Sequence, residues 1–230
     1  MATEDLVTRD DAAARRPRLS RERVLAAAMA LADRDGLEAL TIRALAEDLG
    51  TKPMTLYHHV AGKEALLDGI ADQVFAEMEL PPEDLEWRDA IRVRCRSARE
   101  VLARRPWSVP LLESRRHPGP SLLAHHEAVL ATLARGGLSI PLMAHAYAVL
   151  DSFIYGFAIQ EANLPVQGGE ESAEVAAKVS AAFDPELYPT LVRFTVEHAM
   201  RPDYSFGASF DYGLDLILDG LERAAREERA

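Results

Sequence analysis

The apolar residues in the first third of the chain recur every three or four positions, in short runs that glycines interrupt. Val24, Leu25, Ala28, Leu31 and Ala32 form one helix-period stripe, closed by Gly36. Ile42, Leu45, Ala46 and Leu49 form a second at i, i+3, i+4 and i+7, with Thr41 where an N-cap belongs and Gly50 at its end. A glycine there takes the positive φ that a tight helix-to-helix turn requires. Thr51 then caps the next helix, with Pro53 tolerated in its first turn. On that helix, 100° per residue counted from an inward Leu56 puts Met54 and His58 on the outer face and Thr55 and Tyr57 on the flanks. Residues 40–67 therefore predict two short helices about a glycine turn followed by a third helix, the layout of a DNA-reading helix-turn-helix.

Beyond this head the pattern is helix after helix. From Lys63 to Glu79, Leu66, Leu67, Ile70, Ala71, Val74, Phe75 and Met78 make a stripe wide enough to be buried on more than one side, so this helix joins head to body. Pro81 and Pro82 stop it, and helices are predicted at about 85–104, 107–115, 120–135, 139–162, 185–199 and 206–226. Residues 164–184 read as a Gly-rich acidic loop with at most one short helix. The expected fold is all-α: a disordered arm (1–18), a three-helix DNA-binding domain (19–66) and a larger helical ligand-binding and dimerisation domain (67–230).

The charge divides in the way this layout requires. Residues 1–63 carry ten Lys/Arg and ten Asp/Glu, so the remainder holds the whole net charge of −11. An acidic body with a neutral head is repelled from DNA everywhere except at the head. Arg15, Arg16 and Arg18 in the arm read first as a solvated basic run and second as a minor-groove contact. Cys95 is the single cysteine, which excludes an intrachain disulfide. With no signal-like N-terminus and no long uninterrupted apolar run, the expectation is a cytoplasmic protein without a membrane partner.

The run Thr41-Ile42-Arg43, Leu45-Ala46, Leu49-Gly50, Thr55-Leu56-Tyr57, His59-Val60, Lys63, Leu66-Leu67 resembles the DNA-binding domain of the tetracycline-repressor (TetR) family. Phe210, Gly213-Leu214, Leu216-Ile217 and Gly220-Leu221-Glu222 are similar in spacing to the C-terminal helix of the family's founding member. The resemblance implies a ligand-responsive transcriptional regulator, a repressor, that binds a near-palindromic double-stranded DNA operator as a homodimer. Residues 139–162 and 205–226 would pair between subunits as a four-helix bundle. Phe206, Phe210, Gly213, Leu214, Ile217 and Leu221 form the stripe on the last helix, which either faces the second subunit or belongs to the chain's own core. Two heads are also what recognition needs, since they read half-sites about 34–36 Å apart.

For DNA, helical geometry and the resemblance together nominate Arg43 for a guanine edge, Met54 and Thr55 for thymine methyls and His58 for a base. Thr41, Tyr57, His59 and Lys63 are nominated for phosphates, and Thr51 and Lys52 complete the candidate surface. For the effector, alignment with the founding member places Arg94 and Ala98 where it has drug-binding asparagine and phenylalanine, and Glu113 where it has the histidine that holds the drug's magnesium. Tetracycline and a metal-chelated ligand are therefore disfavoured. His117, His126, Val129, Tyr147 and Asp151 are the other candidate lining positions, pointing to a small organic effector with an aromatic or polycyclic body and a few polar groups.

Other classes find less support. His125, His126 and Glu127 fail the His-Glu-x-x-His pattern because Val129 and Leu130 fill the neighbouring positions, so no metal and no cofactor is expected, and His145 reads as an interior histidine. No nucleophile elbow, Gly-rich phosphate loop or Cys–His dyad supports an enzyme. A helical scaffold without DNA would leave Arg43, Lys63 and the Tyr57 face without purpose. Trp107, Tyr147, Phe153, Tyr155 and Phe157 are core candidates, some of them doubling as pocket.

Overall fold

The computed structural model describes residues 19–115, 117–164, 174, 175, 177, 178, 183–201 and 203–230; the expected arm and most of the 164–184 loop lie outside them. Among the described residues the regular elements are helices. They are α1 (Arg21–Asp35), α2 (Ile42–Asp48), α3 (Pro53–Leu56), α4 (Lys63–Ala76), α5 (Trp87–Arg104), α6 (Ser108–Ser114), α7 (Pro120–Arg135), α8 (Ile140–Asn163), α9 (Pro189–Phe194) and α10 (Ala208–Glu227). Predicted and observed helices agree to within a few residues except near the end: the stretch expected as one helix over 185–199 is α9 followed by a single π-helical stretch, Thr195–Ala199.

The apolar stripes seen in the sequence are buried. Val24, Leu25 and Ala28 of α1, Leu45 and Ala46 of α2 and Leu56 of α3 close the head, and one continuous core runs from them through α4 into the body. Helix α4 packs against α1 on the head side and against α6 and α7 on the body side. Gly69 marks how close the first approach is, because a Cβ there would lie 2.6 Å from Leu25. The body is built on α5, α7, α8 and α10, with α8 packed on both α5 and α10. By length and composition α8 is apolar enough to cross a membrane. Its inward positions Leu150, Ile154 and Phe157 instead fill the body core, and it carries Asp151 and Glu161 in ion pairs with α5.

Two devices fix α10. Arg88, Arg92 and Arg96 recur one turn apart on α5 and meet Asp219 with Glu222, then Asp215, then Asp211, a ladder that sets the two helices antiparallel in one register. Inside it, Phe210 is fully buried, stacked on Phe153 with ring centroids 5.1 Å apart and edge-on to Phe157. The Arg99 guanidinium lies over Phe157 and Phe210 while holding both carboxylate oxygens of Glu161. The stripe of Phe210, Leu214 and Leu221 thus belongs to this chain's own core. Gly213 faces Phe153 of the same chain, where a Cβ would sit 2.8 Å from the ring.

The fold predicts a contrast in stability. Phe210→Ala removes a fully buried ring and should cost about 3–5 kcal/mol. Arg96→Ala removes one rung of a half-exposed ladder and should cost about 1 kcal/mol or less. Urea unfolding of both variants at equal protein concentration checks the ranking, and equal losses would contradict it.

Candidate nucleic-acid interface and interior polar cluster

The Thr41 hydroxyl accepts from the Ala44 backbone N–H at 3.0 Å, so α2 starts where the sequence placed it. Gly50, at φ +60°, turns the chain after α2, and the Thr51 N–H closes the turn on the Ala46 carbonyl at 2.8 Å. One expectation is corrected: Thr51 does not cap α3. The N-cap is Lys52, whose side chain makes no capping bond. Pro53 at the first helical position needs no donor satisfied and forces an extended residue before it, which moves the start one residue on.

The orientation of α3 follows the counted geometry. Leu56 is fully buried, Met54 is 71% exposed, and Tyr57 and His58 are exposed. Arg43 in the first turn of α2, Lys52, and Lys63 at the first position of α4 are also exposed, while Thr55 and His59 are half-buried. Thr51 and Thr55 line a groove with Leu19, Arg23 and the α2–α3 turn. The ten nominated residues therefore fall on or beside the two helices of the motif and the start of α4.

The body clasps α4 and α1 at several points. Arg105 at the end of α5 bonds Asp33 of α1 at 3.1 Å and also Glu77, and the Trp107 indole N–H donates to Asp33 at 2.8 Å. Arg115 bonds Glu64 at 2.8 Å and reaches Asp68 at 3.4 Å. Asp72 of α4 caps α7: its carboxylate accepts from the backbone N–H groups of Ser121 at 2.8 Å and Leu122 at 3.2 Å and from the Ser121 hydroxyl at 3.1 Å. Gly119 permits this, because a Cβ there would lie 2.2 Å from the Asp72 carboxylate.

Inside the body, Arg94 is 2% exposed and pairs with Asp151 at 3.0 Å. Burial opposes its charge, but Asp151 more than offsets this and raises its pKa. Burial raises the Tyr147 and Tyr155 hydroxyls, with Asp151 adding to the effect, and pushes the Cys95 thiol up to about 11. His126 stacks on Tyr147 with centroids 4.8 Å apart. His125 is 3% exposed and 6.0 Å from the Phe75 ring, and burial followed by the Arg94 charge lowers its pKa, while backbone acceptors at Phe75 and Met78 raise it. The Nε of Arg94 and the Nδ1 of His125 are buried with no hydrogen-bond partner.

Of the nominated lining residues, Arg94, Ala98, Val129, Tyr147, Asp151 and His126 surround or adjoin this cluster. Glu113 and His117 are exposed: α6 ends at Ser114, and the chain then runs over the surface. His117 instead stands at a cleft of about 250 Å³ with Arg115, Glu64 and Asp68, its Nδ1 3.9 Å from Asp68. That cleft continues to a space of about 10 Å³ bounded by Ala71, Phe75, Leu112 and Leu122. His145, read as interior, is exposed. His125, Tyr155 and Cys95 were missed. Two carried a signal, since His125 lies one helical turn before the inward Val129 and Tyr155 one turn after Asp151.

Comparison with known proteins agrees with both halves. Residues 24–70 match the model of bacterial regulatory proteins of the tetR family, and residues 80–225 match the tetracyclin repressor-like C-terminal domain. The chain is 35% identical over 222 residues to the HTH-type transcriptional repressor DrrR1 of Streptomyces coeruleorubidus, covering 93% of this chain and 81% of that one. It is 30% identical over 210 residues to the class C tetracycline repressor protein of Escherichia coli, covering 90% and 92%. Among solved structures, ActR of Streptomyces coelicolor in complex with actinorhodin is similar with a TM-score of 0.75 at 28% identity, covering 89% of this chain and 96% of that one. With head and body matched in order along one chain, the protein belongs to the TetR family of transcriptional regulators.

Proposed function

We propose that this regulator represses transcription by binding a near-palindromic operator as a homodimer in the cytoplasm, and that a small organic effector entering the body releases it. The observation that carries the reading is the junction of the exposed α2–α3 surface with α4, a helix held by the body through Asp72, Asp68 and Glu64. The relative ActR is named in complex with actinorhodin, and DrrR1 is named a repressor. Arg43, Met54, Thr55 and His58 read bases, while Thr41, Thr51, Lys52, Tyr57, His59 and Lys63 hold the backbone in register. The acidic body keeps the rest of the molecule off the DNA.

The dimer face lies on the outer sides of α8 and α10. Tyr212 and Leu216 are 71% and 57% exposed, and Gly220 continues their row with open space where a Cβ would be. Val149 and Ile159 are exposed on α8, and Gly156 between them is also open. This is a different face from the Phe210 stripe. Two apolar rows flanking small residues suit close packing of four helices.

Coupling follows from space. The void beside Phe75, about 10 Å³, holds no more than one water, so an organic molecule is admitted only as α4 moves against α7. A ligand that favours the displaced state lowers operator affinity by its difference in affinity for the two states, typically about 1–3 kcal/mol.

Three results are expected. Arg43→Ala should cost about 1–3 kcal/mol on a selected operator and relax one base position, whereas Lys63→Ala should weaken all DNA sequences alike; operator selection from random DNA followed by titration of both variants measures this. Leu216→Arg should give a folded monomer by sedimentation that no longer binds specifically. Asp72→Ala should keep operator binding within a few-fold while reducing release by hits from a thermal-shift screen of lipophilic compounds; hits that bind tightly yet leave operator affinity unchanged would overturn the release mechanism.

A further inference from the structure

The interior cluster is balanced in charge but incomplete in hydrogen bonds. Arg94 already has its counter-ion in Asp151 at 3.0 Å, yet its Nε donor is buried and unpartnered. On α7, His125 turns toward backbone acceptors at Phe75 and Met78, and Nδ1 is the nitrogen left without a partner. The proton of the neutral ring therefore sits on Nε2, and Nδ1 is a bare acceptor. The two orphans flank a region bounded by the stacked His126–Tyr147 pair, Tyr155, Val129 and Ala98. Native interiors rarely leave such atoms unsatisfied.

We infer that the effector is an uncharged, flat aromatic molecule carrying a carbonyl oxygen, which accepts from Arg94 Nε, and a hydroxyl, which donates to His125 Nδ1. The inference rests on the effector-pocket reading above and names the ligand class of that site. An anion is the obvious partner for an arginine, but Asp151 has taken that role. A second negative charge here would be buried next to a carboxylate, at a cost that one shared guanidinium does not offset. Cys95, Tyr147 and Tyr155 all keep their protons, so the surroundings supply neutral donors and apolar surface. The stacked imidazole and phenol offer a face for an aromatic ring. His125 also touches Phe75 of α4, so a ligand held on Nδ1 stands directly behind the helix that carries the head.

The test uses the full-length protein at pH 7.5 and one tricyclic frame. The probes are 2- and 3-hydroxyxanthone, which carry both groups, xanthone (carbonyl only), 2-hydroxydibenzofuran (hydroxyl only) and xanthone-2-carboxylate, with binding read by calorimetry or tryptophan quenching. At least one hydroxyxanthone should bind tenfold or more tighter than xanthone and than 2-hydroxydibenzofuran, and the carboxylate should bind more weakly than xanthone. His125→Leu should reduce the hydroxyxanthone to the affinity of xanthone and leave xanthone unchanged. The paired Arg94→Met/Asp151→Leu variant, neutral by design, should remove the advantage of the carbonyl while 2-hydroxydibenzofuran binds as before. Should that pair fail to fold, as judged by its unfolding transition, the probe series and His125→Leu decide alone. Equal binding of hydroxyxanthone and xanthone, with His125→Leu silent, would mean that water fills both orphans; it overturns this inference and leaves the pocket standing. Carboxylate binding as tight as the hydroxyxanthones overturns the charge argument. Absence of binding by every probe overturns both the inference and the pocket.

Discussion

Helix α4 has to be buried twice, and most of the molecule is arranged around that requirement. On the head side it packs against α1, with Gly69 against Leu25. On the body side Ala71 and Phe75 face Leu112 and Leu122. A helix with apolar surface in two directions cannot belong to one domain alone. Its polar residues are then spent on fastening: Glu64 and Asp68 on Arg115, Asp72 on the N-terminus of α7, Glu77 on Arg105. The body senses the head through these bonds, and the head is oriented by them.

These fastenings differ in kind. The Arg115 and Arg105 pairs are partly open to solvent, where an ion pair is worth about 0–1 kcal/mol, so they steer more than they hold. The Asp72 cap is different, because a carboxylate at a helix N-terminus satisfies donors that otherwise have no intrahelical partner and lies in the favourable end of the helix dipole. Gly119 is the compositional trace of that cap. A side chain there would occupy the place of the Asp72 carboxylate.

Local periodicity made the head legible. Leu56 inward and Met54 and His58 outward follow from 100° per residue, and the structure agrees. The misplaced Thr51 cap shows a local competitor: Pro53 decides where α3 begins, and the hydroxyl one residue too early has no role in it. The C-terminal stripe shows a limit of another sort. Period identified Phe210, Leu214 and Leu221 as buried, but a stripe carries no mark of which chain covers it, and Phe153 of the same chain does so. The body–head bonds were not legible at all, since Asp72 and Ser121 stand 49 residues apart and only the packing of α4 on α7 brings them together. His125 was within reach by counting back from Val129, but an alignment to a relative's pocket pointed to its neighbour His126.

The interior cluster supplies the free energy that such a switch needs. A buried ion pair such as Arg94–Asp151 is weak evidence of stabilisation, because desolvation cancels much of the attraction, and apolar residues of similar volume hold a core as well or better. Two orphaned polar atoms make the arrangement still less favourable, at about 1–3 kcal/mol for each buried group left unsatisfied. That cost is borne in the form whose space beside Phe75 is closed, and it is relieved when a molecule with one acceptor and one donor is bound. The relief is of the same order as a typical coupling between effector and operator sites, about 1–3 kcal/mol. It also exceeds what one solvent-exposed ion pair contributes. Filling both orphans can therefore shift α4 against its outer ion pairs without unfolding anything, and the residual resistance comes from Asp72 at the start of α7.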